Sequence, residues 1–259
     1  MSDAYARHTP KTVFITGATG DFGKAFVQRF AASGGCNLIL HGRDEKKVGA
    51  LCAGLPSALP LVFDITDKDA MKKAIDGLPE THKNIDLLIN NAGLALGLDR
   101  GHEASIDDWE TMIDVNVTAL VRMTRLIAEG MAERKGGHII NIGSTAGNYP
   151  YRGGSVYCAT KAFVKQFSLS LRADFAGLGI RVTNLEPAQV ETQFSAVRFK
   201  GDSTRADAVY AGTQSLQAED IAETVFWAAT LPPHVNINRM EVMATTQYPA
   251  GLAFERKGN

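Results

Sequence analysis

The 259-residue sequence has few cysteines, almost no net charge and no long apolar run. Its three cysteines, Cys36, Cys52 and Cys158, are odd in number and lack metal-ligand spacing, so we predict neither a disulfide framework nor a metal site. Lysine and arginine total 27 against 28 aspartates and glutamates, which gives a formal net charge of −1. Such a balance supplies no broad positive field for nucleic acid or an anionic membrane. Any anion must be held locally.

Membrane-spanning and secretory segments are also lacking. No run reaches the roughly 18 apolar residues of a membrane span, and the first eleven residues are polar. We therefore expect a cytoplasmic protein whose ligand is a small molecule, with no nucleic acid or membrane partner. A hydrophobic content of 45% is ordinary for a chain that buries a substantial core.

The sequence does contain a regular alternation of short apolar runs with longer amphipathic stretches. This alternation predicts an α/β fold in which helices cover both faces of a doubly wound parallel sheet. Seven runs are typical of strands because each is brief, apolar and bounded by Gly, Pro, Asp or Asn. They are VFIT, NLILH, LPLVFD, IDLLIN, GHIINIGS, IRVTNLEP and MEVMA. No linker or repeat divides residues 1–259, so we predict a single domain.

Two later segments depart from this alternation of strands and helices. Residues 188–217 are rich in Gln, Ser, Thr and Asp and follow the sixth predicted strand. Loops beyond the carboxyl ends of strands build ligand sites in such sheets, so we predict a mobile substrate lid there. The tail 245–259, from Gln247 to beyond Phe254, is predicted to reach a neighbouring subunit and close its pocket.

A glycine-rich loop joins the first predicted strand to a helix. Glycines allow a tight turn and bring backbone N–H groups close to a pyrophosphate, and the helix N-terminus adds about half a positive charge. In this strand–loop–helix context the loop predicts a dinucleotide site in preference to a plain tight turn. The candidate cofactor residues of this loop are Gly17, Thr19, Gly20, Asp21, Phe22 and Gly23.

The end of the second predicted strand indicates which dinucleotide binds. A site for NAD usually has Asp or Glu there, which accepts from the ribose 2′-hydroxyl and repels a 2′-phosphate. Here the chain reads His41-Gly42-Arg43, and a guanidinium can grip a phosphate with two parallel charged hydrogen bonds. Arg43 therefore favours NADP(H). The alternative is that Arg43 is a solvated flank of the next helix.

Ser144, Tyr157 and Lys161 are the candidate proton-transfer group. Tyr157 is the only one of the six tyrosines with lysine at i+4, which places the two on one helical face. Hydride delivery to a carbonyl leaves charge on oxygen, which an acid must protonate. A nearby ammonium favours the phenolate of a tyrosine, whose free pKa is about 10, and the serine hydroxyl can orient the carbonyl. The alternative is a half-buried ring beside a solvated lysine.

These motifs together resemble the short-chain dehydrogenases/reductases, whose phosphate loop reads TGxxxGxG. The middle glycine of that pattern falls at Asp21, and we predict that the Asp21 carboxylate turns away from the phosphates and caps the first helix. The resemblance implies a Rossmann-type fold with Tyr157 as acid/base, Ser144 orienting substrate, Lys161 lowering the Tyr157 pKa and Asn116 supporting a water. It also implies cofactor contacts at Asp64, Ile65, Asn91, Ala92, Gly93, Tyr157, Lys161, Pro187 and Val190. Asn90 could equally be a polar staple between strands.

Within that family the sequence is similar to bacterial NADP-dependent 3-hydroxy acid dehydrogenases, through NNAGLALG, DDWETMIDVN and LPPHVNIN. The likeness implies a homotetramer that oxidises a small anionic hydroxy acid or reduces its semialdehyde. Sulfoacetaldehyde reduction is an alternative, because carboxylate and sulfonate are both compact anions, and a non-catalytic NADP(H) sensor is an alternative of another class. The candidate substrate residues are Ser144, Tyr149, Tyr151, Arg152, Arg198 and Gln247. Arg198 is the first choice for the anion, although it could equally be a surface charge.

Overall fold

The computed structural model describes residues 7–250, apart from the side chains of residues 206 and 207. Seven strands form one parallel sheet in the order β3-β2-β1-β4-β5-β6-β7. Both the predicted seven strands and the predicted doubly wound α/β fold are confirmed. The strands are β1 Thr12–Ile15, β2 Asn37–Gly42, β3 Ala58–Val62, β4 Leu87–Asn90, β5 Gly137–Ile142, β6 Ile180–Pro187 and β7 Arg239–Val242.

Helices join successive strands and cover both faces of the sheet. The predicted first helix ends where Gly34 takes a φ of 71°, a conformation that favours glycine. The α-helices are α1 Asp21–Ser33, α2 Glu45–Cys52, α3 Lys68–Asp76, α4 Glu80–Lys83, α5 Ile106–Ile113, α6 Leu120–Glu133, α7 Ser155–Asp174, α8 Phe194–Arg198, α9 Ser203–Tyr210 and α10 Ala218–Ala229. A π-helical segment, Asp114–Ala119, links α5 to α6, and a 3₁₀ turn, Thr145–Gly147, follows β5.

The core lies in two layers because successive side chains of a strand point to opposite faces. Val13 and Ile15 of β1 pack with Phe26 and Phe30 of α1 on one face. Phe14 between them packs on the other face, where Met123 and other residues of α6 contribute. The inner strand β1 is fully buried, with all four residues inaccessible or nearly so. A rigid, two-sided sheet therefore carries the loops that follow its strands.

The strand order reverses between β1 and β4, so the loops after these strands diverge and leave a crevice at the carboxyl edge of the sheet. A cavity of about 790 Å³ opens there. Residues 188–217 cover part of it, and they contain two short helices, α8 and α9, where a less regular segment was expected. Helix α9 begins after Asp202 because the Asp202 carboxylate accepts from the Arg205 N–H at 3.0 Å and caps the helix.

Within residues 7–250, no helix is both long enough and apolar enough to cross a membrane.

Candidate active site

Most of the predicted site residues meet in this one cavity. They come from the loops after β1, β2, β3, β4, β5 and β6 and from α7. Those that line it are Gly17, Thr19, Gly20, Asp21, Phe22, Arg43, Asp64, Ile65, Asn91, Ala92, Gly93, Ser144, Tyr149, Tyr151, Tyr157, Lys161, Pro187, Val190 and Arg198. Segments far apart in the sequence therefore share one surface.

The phosphate loop forms a tight cradle that only glycine can build. Gly17 has a φ of +63°, and a Cβ added there would lie 3.0 Å from the Ala92 Cα. A Cβ on Gly23 would lie 2.4 Å from the Gly17 carbonyl oxygen, so Gly23 lies beneath the loop and lets α1 approach it. The start of α1 thus faces an open cavity with its N–H groups, which fits the pyrophosphate of a dinucleotide.

The loop after β4 is fastened to this cradle. The Asn91 side-chain amide donates to the carbonyls of Thr16 at 2.9 Å and Gly17 at 3.1 Å. The Thr16 hydroxyl accepts from the N–H groups of Asn91 and Ala92 at 2.9 and 3.0 Å. Asn90, by contrast, points into the sheet and donates to Asn141 on β5 at 2.8 Å, which makes it a polar staple between strands.

His41 is a residue that sequence reasoning placed only as part of the strand end. The Gly17 N–H donates to its Nδ1 at 3.3 Å, and its Nε2 lies 3.1 Å from the Phe63 carbonyl oxygen. An accepting Nδ1 requires the proton on Nε2, so the ring is neutral in this arrangement. Burial lowers the pKa of His41 to about 4. His41 therefore ties the phosphate loop to the ends of β2 and β3.

Two charged residues stand where the sequence analysis placed the ribose end of the cofactor. The Arg43 side chain is exposed and borders the cavity. The Asp64 carboxylate accepts from the Thr66 N–H at 2.9 Å and from its hydroxyl at 2.7 Å, and these bonds lower the pKa of Asp64. The Arg43 charge also lowers this pKa, so Arg43 and Asp64 lie near each other where both border the cavity.

Tyr157 and Lys161 lie on the buried face of α7, as their spacing predicts. Each is 8% exposed. The Lys161 Nζ donates to the Ile142 carbonyl at 2.8 Å and lies 5.8 Å from the centre of the Tyr157 ring. Ser144, which follows β5, accepts from the Ala146 N–H at 3.1 Å. The half-buried tyrosine beside a solvated lysine, considered above, does not describe this pair.

The charge states of this pair follow mainly from burial. Burial and the neighbouring Tyr151 raise the pKa of Tyr157, while the Arg198 charge and a Ser144 hydrogen bond lower it. Burial lowers the pKa of Lys161 to about 8. Loss of water around the Tyr157 hydroxyl is the largest of these effects, so the free chain holds Tyr157 as a neutral phenol. The role of Lys161 in lowering this pKa remains a prediction.

Asn116 lies in the π-helical segment between α5 and α6, and π turns are frequent at functional sites. Its Oδ1 accepts from the Leu94 N–H at 2.9 Å, and its Nδ2 donates to the Leu94 carbonyl at 2.8 Å and to Thr160 Oγ1 at 3.2 Å. Asn116 therefore holds the loop after β4 against α7. Its role in supporting a water remains a prediction.

Arg198, at the end of α8, projects into a group of aromatic rings. Its Cζ lies 5.3 Å from the ring centres of both Tyr151 and Tyr157 and 5.7 Å from that of Phe194. One terminal nitrogen donates to the Tyr151 hydroxyl. Its buried Nε has no partner among the described residues, so one strong donor is left for a ligand. The surface-charge alternative does not fit this position, and Phe194 is a neighbour that the sequence analysis missed.

Two predicted substrate residues do not join this group. Arg152 is exposed and lies outside the cavity lining, in a turn with Gly153, which takes a φ of 80°. Gln247 is buried behind the lid, where its Oε1 accepts from the Gln189 N–H at 3.0 Å. Residues 251–259, which include the rest of the predicted tail and Phe254, lie outside the described residues. Tyr149 borders the cavity and donates to Glu241 at 3.2 Å.

The predicted cap by Asp21 is wrong. Gly20 is the N-cap residue of α1, with no side-chain cap bond, and Asp21 is the first residue of the helix. The Asp21 Oδ2 instead accepts from the Gln193 N–H of the lid at 2.7 Å. A carboxylate at the first helical position cannot reach back to the N–H groups as an N-cap side chain does, so Asp21 is free to contact the lid.

Comparison with known proteins agrees with this geometry. Residues 11–203 match the short chain dehydrogenase family. The chain is 50% identical over 247 residues to the NADP-dependent 3-hydroxy acid dehydrogenase YdfG of Escherichia coli (strain K12), with 95% of this chain and 99% of that protein covered. It is 46% identical over 247 residues to a serine 3-dehydrogenase of Rhizobium radiobacter, with 95% and 98% covered.

A solved structure described as the closed form of serine dehydrogenase complexed with NADP⁺ superposes with a TM-score of 0.90 at 49% identity, covering 95% of this chain and 100% of that one. The chain belongs to the short-chain dehydrogenase family, as the sequence resemblance implied.

Proposed function

We propose that this chain is an NADP(H)-dependent oxidoreductase that interconverts a small anionic 3-hydroxy acid and its oxo acid or semialdehyde. The observation that carries the proposal is the position of Arg198, a cation with an unpaired buried donor, 5.3 Å from the ring centre of Tyr157. A proton donor and an anion-binding group thus face one cavity. The names of the 3-hydroxy acid and serine dehydrogenase relatives support the same substrate class.

The cofactor side of the cavity supports NADP(H). Gly17 and Gly23 leave space for a pyrophosphate at the start of α1, and Arg43, one of several cations that line the cavity, is the one proposed for the 2′-phosphate. When bound, the cofactor supplies or accepts the hydride. The chain's own residues hold it, exclude water and move the proton.

In the reductive direction the chain must deliver one proton to the carbonyl oxygen as the carbonyl carbon becomes C–H. Tyr157 is the proposed donor because its buried hydroxyl is protonated in the free chain. After transfer it carries the negative charge, which the Lys161 ammonium and the Arg198 guanidinium, both beside its ring, stabilise. The Ser144 hydroxyl is proposed to donate to the same oxygen and orient it. In oxidation the proton returns to Tyr157.

The substrate anion is proposed to bind Arg198. The Arg198 guanidinium is partly buried beside three aromatic rings, so its attraction for a carboxylate is stronger than at an open surface. Arg198 and Tyr157 lie beside each other and both pack near Phe194. The anion of the substrate must therefore lie only a short distance from the carbon that reacts. A three-carbon 3-hydroxy or 3-oxo acid matches that separation better than a long chain does.

The test is a panel of aldehydes and alcohols assayed by NADPH or NADP⁺ turnover at equal concentration. Malonic semialdehyde, serine and allo-threonine are expected to react, and propanal, which lacks the anion, is expected to react far more slowly. Faster turnover of sulfoacetaldehyde would move the assignment to a sulfonate. Tight NADPH binding without turnover of any member would contradict the proposed enzyme and favour a sensor.

We also propose a homotetramer, as the family resemblance implies. Apolar side chains that a monomer leaves in water support it: Ile113 on α5 and Phe163 and Leu169 on α7 are exposed, at 43%, 39% and 38%. Sedimentation velocity measures the assembly, and a monomer at micromolar concentration would contradict this proposal.

A further inference from the structure

The lid helix α8 is held at both of its ends, by opposite walls of the cavity. At its start, the Gln193 N–H donates to the Asp21 carboxylate at 2.7 Å. At its end, the Arg198 carbonyl accepts from the Gly97 N–H at 3.0 Å. Lys200 forms an ion pair with Asp108 at 2.9 Å on that side. The helix therefore bridges the phosphate loop and the loop after β4.

The Asp21 contact is the attachment on the cofactor side. Gln193 is the N-cap residue of α8, and this helix has no side-chain cap of its own. The Phe194 N–H donates to the adjacent Thr192 Oγ1 at 3.3 Å, and the Gln193 N–H takes its acceptor from Asp21. A carboxylate is a strong acceptor for a backbone N–H. Besides this bond, Asp21 has a loose ion pair with Lys24 at 3.9 Å.

We propose that Asp21 is a positioning residue, whose carboxylate fixes the start of α8 on the phosphate loop and thereby holds Arg198 beside Tyr157. Only four residues, 194–197, separate the anchored N-cap Gln193 from Arg198 at the end of α8. A helix of one turn transmits a displacement of its start directly to its end. The phosphate loop and the anion-binding group are thus mechanically linked through one hydrogen bond.

This link explains why an acidic residue is tolerated beside a predicted pyrophosphate. The carboxylate lies in the first turn of α1, where the helix dipole stabilises negative charge. It also points to the lid N–H at Gln193, which reduces its effect on the cavity. A glycine at this position, as in the resembling family pattern, has no side chain to make the contact.

Amide hydrogen exchange of the free, full-length chain tests the link without any turnover. Asp21→Ala is expected to raise exchange across residues 190–201 about tenfold, since a charge-assisted hydrogen bond is lost. Asp21→Asn retains an acceptor and is expected to stay close to the native rate. Asp69→Ala is the matched control, because Asp69 is an exposed acidic residue in the first turn of α3, away from the lid.

The donor can be removed independently. Gln193 has a φ of −66°, the value that proline prefers, so Gln193→Pro deletes the N–H while keeping this backbone angle. If Asp21 and Gln193 act through one bond, the double variant Asp21→Ala/Gln193→Pro is expected to exchange no faster than either single variant. Additive effects, or an Asp21→Ala lid that exchanges as slowly as the Asp69→Ala lid, would overturn the proposal.

A second measurement concerns Arg198 and rests on the proposed function. Asp21→Ala is expected to lower the ratio of kcat/KM for an anionic aldehyde to kcat/KM for a neutral aldehyde of equal length several-fold. An equal loss for both substrates would mean that Asp21 does not act through Arg198. Failure of all substrates would contradict the proposed function, whereas the exchange result would still decide whether Asp21 anchors the lid.

Discussion

The two halves of the cavity are built in different ways. On the cofactor side Gly17, His41 and Asn91 are joined by hydrogen bonds between backbone and side-chain groups that satisfy one another. On the substrate side Arg198 comes from the lid and contacts the ring faces of Tyr151 and Tyr157, with one hydrogen bond to the Tyr151 hydroxyl. The Arg198 Nε there has no partner within the described part of the chain.

This difference separates a preorganised half from one that awaits its ligand. A fully paired polar group contributes to the folded state whether or not a ligand is present, and disturbing it costs stability. An unpaired buried donor gains its partner only when an anion binds. Changes on the substrate side should therefore affect catalysis, and changes on the cofactor side should affect cofactor affinity and folding.

The strongest test of the substrate half is Tyr157→Phe. Loss of the proton donor is expected to reduce kcat about 10⁴-fold, because general acid catalysis contributes up to that amount. NADPH binding, measured by fluorescence titration, should change little, since the ring and its packing on Phe194 remain. Retained turnover would remove Tyr157 from the proposed role.

Arg198→Met should have the next largest effect. The variant keeps an unbranched side chain between the rings but lacks the charge, so kcat/KM for an anionic aldehyde is expected to fall about 100-fold. A neutral aldehyde of the same length serves as the internal control and should lose much less. If both substrates lose equally, Arg198 supports the fold of the lid and does not bind the anion.

His41 tests the cofactor half through stability. Because the folded-state pKa is about 4 against 6.5 in an unfolded chain, the unfolded state binds more protons between these values. The contribution of neutral His41 to the stability of the folded state is complete above pH 6.5 and is lost as the pH falls towards 4. Between pH 7 and pH 5 the loss is about 2 kcal/mol, a factor of about 30.

His41→Gln removes this titration, so urea unfolding at pH 7 and pH 5 should differ by about 2 kcal/mol less in the variant than in the native chain. The buried His138 titrates in the same direction in both proteins and cancels in this comparison. An unchanged pH dependence would mean that protonation of His41 does not oppose folding.

Arg43→Asp should have the smallest effect of the four. The residue is exposed, so solvent and salt screen its charge. The ratio of KM for NADPH to KM for NADH is expected to rise roughly tenfold, because a phosphate partner is replaced by a like charge. Equal changes for both cofactors would assign Arg43 to the solvated flank of α2.

Much of the molecule could be predicted because its signals are local. The alternation of apolar runs determines the seven strands, and the spacing of Tyr157 and Lys161 determines that they share a face of α7. The glycines after β1 are required because the loop needs a positive φ and close backbone contacts that a side chain would block. Such features depend on a few neighbouring residues, so they can be inferred from the sequence itself.

Contacts between distant segments could not be predicted in this way. The chain around Asp21 suggested a helix cap, but the lid supplied a closer donor at Gln193. Arg152 and Arg198 were both predicted to lie near the substrate. Only the path of the chain after β5 and β6 brings Arg198 into the cavity and leaves Arg152 outside it. The pKa of Tyr157 likewise depends on burial and on Arg198, which lies in a distant segment of the chain.

The sequence by itself thus determined the alternation of strands and helices along the chain, the glycine cradle and the helical face that Tyr157 and Lys161 share, because period and backbone conformation are local properties. Only the tertiary structure decided which cation enters the ring cluster, what the Asp21 carboxylate binds and how burial shifts the charges. Those outcomes depend on distances between segments that are far apart in the chain, and on the water that packing removes from between them.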